Sequence, residues 1–286
     1  MSFKPIYKLR DWINQELLCI GDLSSNPRAL HIIEQNLDKV FWPNLSANHE
    51  AIHIIEKNLD KISWRALTCN RNAIHIIEKN LYKFDWWPLS QNPGAIHIIE
   101  KNLDKINWQS LSLNEAAIHI LEKNQDKISW NYLSINPSAI HLLEKKLARV
   151  NWPYLSENSA AMHLIEKNLD KVNWSYLSAN PAAIHLLEKN LDKVGWWSLS
   201  KNPGAIDILE KNQDKINWSQ LSKNPAIFVL DRDAMRLQIM NFGKIKKNNE
   251  DFGFAEELIA SALHPRHFTR NLLKYGYDIG LNEYVD

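Results

Sequence analysis

Residues 174–195 read Trp-Ser-Tyr-Leu-Ser-Ala-Asn-Pro-Ala-Ala-Ile-His-Leu-Leu-Glu-Lys-Asn-Leu-Asp-Lys-Val-Gly, and Trp196 begins the same pattern again. Trp stands at 42, 64, 86, 108, 130, 152, 174, 196 and 218, always 22 residues apart, and Ile20 fills the slot one step earlier. Three residues on comes Leu, from Leu23 to Leu221, followed by Ser or Thr. Asn comes next but one, at all ten sites from Asn26 to Asn224. A fixed period of this length is the mark of stacked repeats.

Each period holds two helix-start signals. In Asn92-Pro93 the Asn side chain can cap free amides, and proline suits the first helical position because no hydrogen bond is lost there. From this start the spacing of Ala95, Ile96, Ile98 and Ile99 predicts one apolar face, with His97, Glu100 and Lys101 opposite. Asn102 should end a helix of about ten residues in the left-handed conformation. The second signal precedes each Trp: Ser63, Asp85, Asn107, Ser129, Asn151, Asn173, Gly195 and Asn217 are N-cap types, and Phe41 is the exception. Pro43, Pro88 and Pro153 then fall in a first turn, where a missing amide is harmless. A leucine-rich repeat has a similar period but needs an apolar residue two after each Leu. That column reads Ser25, Ala47, Cys69, Gln91, Leu113, Ile135, Glu157, Ala179, Lys201, Lys223.

The expected fold is therefore all-α: an α-solenoid of about ten two-helix repeats over residues 20–230, with the Trp, Leu, Ala and Ile columns buried. One repeat has too little apolar surface to offset the entropy of ordering itself, so neighbours must cover each face. An elongated array then needs helical caps. Residues 1–19, with Trp12, Ile13, Leu17 and Leu18, fit the first; residues 231–286 fit the second. The repeat decays after Pro225 as though one residue were missing. Beyond it, helices are expected near Asp233–Phe242, near Phe254–Leu263 and after His264-Pro265, with a polar turn through Gly243–Asn249.

Lys and Arg total 34 against 33 Asp and Glu, so the formal charge is +1 and no global field favours nucleic acid or anionic lipid. Cys19 and Cys69 are too few for a disulfide framework, which suits an intracellular setting. The first 18 residues carry charges throughout and do not read as a signal peptide, and no apolar run could span a bilayer.

Units such as residues 177–196 resemble a repeat found in many proteins of giant nucleocytoplasmic DNA viruses. The tail Glu256-Glu-Leu-Ile-Ala-Ser-Ala-Leu-His-Pro-Arg-His-Phe is similar to a common ending of those proteins. The resemblance implies a viral source, with host cytoplasm or virion as location. It implies no activity.

Three sets of residues invite chemistry. His31, His53, His75, His97, His119, His141, His163 and His185 recur in one column, with Asp207 in the ninth place, and the helical wheel puts them outside. Stacked helices about 8–10 Å apart cannot share one metal ion down such a column, so bonds to Glu or Lys of a neighbouring repeat are expected, with a pH-responsive face as the alternative. Glu34 to Glu210 and Lys39 to Lys215, with Arg149 as variant, run side by side as a solvated face with inter-repeat pairs. The two positions after each Trp vary, and variation is where specificity can be written. They hold Tyr132, Tyr154 and Tyr176, plus Trp87 and Trp197, as candidate anchors for a partner. His264 and His267 are too short a signal for a metal site. No phosphate loop, nucleophile elbow or metal motif is present, so neither catalysis nor a cofactor is expected. The expected function is a non-enzymatic scaffold for protein–protein interaction. A virion structural component and a nucleic-acid-binding solenoid are the alternatives.

Overall fold

The computed structural model describes residues 5–238. The described residues divide between two units, Leu9–Val229 with the repeats, and a second to which residues 5–8 and 230–238 belong.

The repeat beginning at Trp108 shows how the pattern folds. Trp108–Leu111 is a one-turn α-helix, here the Trp helix, started by Asn107, whose side chain accepts from Ser110 N at 2.9 Å. Glu115–Ala117 is a 3-10 turn started by Asn114, which accepts from Ala116 N at 3.0 Å. Ile118–Lys123 is the His helix. The expected ten-residue helix is thus split, because Ala117 sits at φ −95° and ψ 9°, outside α geometry. Its end also differs from expectation. Asn124 has φ −131°, not a left-handed value, and stops the helix through its side chain, which donates to Ile120 O at 2.8 Å.

Leu111, Ala117, Ile120, Leu121 and Ile128 form the buried layer, and their equivalents do so along the array, except that Ile32, Leu164, Leu186, Phe84 and Val172 are only half-buried. The Trp column, expected in the core, is only half-buried, and every indole in it except Trp218 is roofed by a cation 19 residues on. Eight such pairs, from Lys61 over Trp42 to Lys215 over Trp196, span 4.1–5.8 Å from charge to ring centre. The basic column is therefore committed to Trp faces rather than to ion pairs between repeats.

Polar side chains join one repeat to the next. Asn136, 1% exposed, donates to the carbonyls of Ser112 and Asn114 at 3.0 and 3.2 Å. Ser112 Oγ donates to Trp108 O and accepts from Ser129 N of the following repeat. These bonds satisfy backbone groups that a short helix cannot pair internally.

The same bonds occur between the last repeat and the first. Asn26 donates to Ser222 O and Asn224 O, both at 3.0 Å, and Cys19 N donates to Ser222 Oγ at 3.1 Å. The first repeat thus treats the tenth as its predecessor, and the array closes on itself. This corrects the expectation of an elongated array whose two ends are covered by separate helical caps; the all-α repeat fold itself is as expected. Contacts found only at this seam reinforce it: Asp22 accepts from Ser219 Oγ at 2.7 Å and pairs with Lys223 at 3.1 Å, and Arg10 Nε donates to Ala226 O. Adjacent Trp helices approach one another more closely than adjacent His helices do, so each repeat is a wedge. Ten equal wedges complete a turn at about 36° each. Trp helices consequently line the inner side of the ring, and His helices the outer.

Ile227 follows Asn224 by three residues, as Ala205 follows Asn202, and is fully buried, so no residue is missing up to that point. The repeat ends at Phe228, where strand β2 (Phe228–Leu230) pairs with β1 (Tyr7–Leu9). In the second unit, Asp231 N donates to Ile6 O, and its carboxylate accepts from Ala234 N to start a helix at 232–238. The remaining expected C-terminal elements, with His264 and His267, lie outside the described residues.

Candidate binding surface

A Trp helix is about one turn long, so the second, third and sixth positions of each repeat lie on one side of it. The second and sixth reach solvent, while the third is buried at Pro88, Ser110 and Gln220 and reaches solvent in the other repeats. All three columns vary between repeats. On the outer side the His, Glu, Lys and Asp columns are nearly copied. Sequence variation thus concentrates on the inner wall.

Three consecutive repeats bring their tyrosines together there. Tyr132 and Tyr154 lie parallel, ring centres 6.3 Å apart and planes at 11°, and Tyr154 meets Tyr176 edge-on at 5.7 Å. Tyr132 and Tyr154 are half-buried, and Tyr176 is exposed at the end of the stack. The rings are therefore one cluster with its own cohesion, not three separate anchors. Ile135, three residues after Tyr132, and Leu113, its equivalent one repeat earlier, were not singled out from the sequence as binding residues; both are half-exposed on the same wall. Trp87 and Trp197 are 41% and 56% exposed in other repeats, outside this cluster, and Lys201 lies over the Trp197 ring. Lys201 also reaches Glu157, two repeats back, at 4.0 Å. Such a reach fits a narrow inner circumference.

The histidines form a ladder on the outer side. Seven of them, His53, His75, His97, His119, His141, His163 and His185, each place Nε2 2.6–2.9 Å from the Glu carboxylate of the preceding repeat. Both partners are about half-exposed, so each pair contributes little by itself and mainly sets register. His31 stands apart: at the seam it meets Phe228 edge-on at 5.7 Å. Burial lowers its pKa from the usual value, against smaller opposing effects from the Arg28 backbone and Glu34. His49, outside the ladder, is also lowered, first by burial and then by Arg71. Among the described residues no three His, Cys, Asp or Glu side chains are grouped to hold a metal ion.

A lowered folded pKa means the unfolded chain takes up the proton first. Stability from His31 and His49 is full above about pH 6.5 and is lost as pH falls below it. Their ring protons should titrate below 6.5 by NMR, and His31→Gln/His49→Gln should lose less stability than wild type between pH 7 and 5. Titration of both at or above 6.5 would contradict the burial seen for them.

No family model matches this chain, and no curated protein or solved structure matches it either. Among the described residues, no helix is long and apolar enough to cross a membrane.

Proposed function

We propose that this chain is a non-enzymatic scaffold that captures a protein partner through the Tyr132–Tyr154–Tyr176 cluster. The observation that supports this is the contrast between copied and varied columns: the slot of the three tyrosines holds Asn44, Ala66, Ser110 or Ser198 elsewhere, so the fold does not require aromatics in it. Solvent-reaching aromatic clusters bring large contact area with few rotatable bonds, as binding hot spots do. The resemblance to giant-virus repeat proteins makes a host or viral protein the partner in this reading.

Replacing all three tyrosines with Ser should weaken partner capture at least tenfold, about 1.4 kcal/mol. Because the rings pack on one another, the same change should also cost about 1–3 kcal/mol of stability at about 0.5–1.5 per aromatic pair. Tyr176→Ser alone leaves the Tyr132–Tyr154 pair intact and serves as the folded control. Affinity capture followed by mass spectrometry with wild type and both variants reads the effect. Equal capture by a folded triple variant would remove this surface from the account.

A further inference from the structure

Resting on that reading, the geometry points to the kind of partner: we propose that the hub of the ring receives a single amphipathic α-helix. On a circle of ten equal steps, the 5.7–6.3 Å spacing of the tyrosine rings corresponds to a radius of about 10 Å. With the rings themselves occupying part of that radius, about 13 Å of clear width remains. One helix with side chains measures about 10–12 Å across and fits; two packed helices, about 8–10 Å apart between axes, do not.

The chemistry of the wall is divided in the same sense. Leu113, Ile135 and the three tyrosines give an apolar arc over four successive repeats, interrupted in the sixth-position row by Glu157, which Lys201 meets from two repeats on. The next part of the circle carries Lys201, the partner of Glu157, and the ion pair Lys223–Asp22. An occupant with an apolar stripe on one side and mixed charges on the other matches both halves.

Cys69 supplies a reporter already in place. It belongs to the column of Leu113 and Ile135, is exposed, and accepts from Gln91 Nε2 at 3.5 Å along the wall. The probe is a fluorescein-labelled helical peptide of about 18 residues with Leu at i, i+3, i+4 and i+7, and Ala, Glu and Lys elsewhere. The control has the same composition with Leu spread around the helix. In Cys19→Ser protein, binding of the first peptide by fluorescence anisotropy should slow maleimide labelling of Cys69 about tenfold, and the control should not. Leu113→Ser/Ile135→Ser, which leaves the tyrosine cluster intact, should weaken binding. Absence of binding, or binding that leaves Cys69 equally reactive, overturns the hub assignment. Tyrosine-dependent capture of a protein alongside that result would leave the scaffold reading standing.

Discussion

Asn136→Leu is expected to destabilise the array by about 2–4 kcal/mol, a large loss for one polar side chain. The Asn side chain is buried and makes three bonds: it donates to Ser112 O and Asn114 O, and it accepts from Ser138 N. Leu matches its bulk but leaves the buried Ser112 carbonyl unpaired, at about 1–3 kcal/mol, reduces Asn114 O to its bond from Ala117 N, and removes a cap worth about 1 kcal/mol. Asn102 is the contrast. It is half-exposed, donates to Ile98 O and accepts only a long, exposed bond from Lys105 Nζ at 3.3 Å, so Asn102→Leu should cost about 0.5–1.5 kcal/mol. Denaturant midpoints of the two variants decide the matter, and equal small losses would show that the inter-repeat bonds contribute little.

Asn26→Leu should cost as much as Asn136→Leu. In an open array the first repeat has no predecessor, its Asn would face solvent, and only the cap to Arg28 N would be lost. In the closed ring Asn26 is fully buried against Ser222 and Asn224. A loss of about 1 kcal/mol or less for Asn26→Leu, beside a large one for Asn136→Leu, would mean that the seam is open.

Much of the fold was legible because each repeat states it again. The Trp, Leu-Ser and Asn-Pro columns gave two helix starts per period, and N-cap bonds are found at Asn107 and Asn114 where the residue types placed them. Closure was not legible. It depends on the wedge angle between repeats, which accumulates from small differences in packing and leaves no residue of its own; Asn26 looks like any other Asn in its column. The one available signal was that Asn persists at all ten sites even where His49, Arg71, Glu115 or Ser159 replaces Pro, which means that Asn does more than cap. The Lys–Trp pairs were missed because their partners, 19 residues apart, meet only after the chain folds back. The tyrosines were found by their departure from the repeated pattern. Their contact with one another follows from the tight inner circumference, which a single repeat does not reveal.

Spin labels give the most direct measurement of closure. Asp38, Asp126, Asp170 and Asp214 occupy one exposed column. Through the seam, Asp214 and Asp38 are two steps apart, as Asp126 and Asp170 are within the array. After replacement by labelled Cys in protein lacking Cys19 and Cys69, pulsed electron paramagnetic resonance should give the same distance distribution for both pairs. A 38–214 distance far longer than the 126–170 distance would contradict the ring.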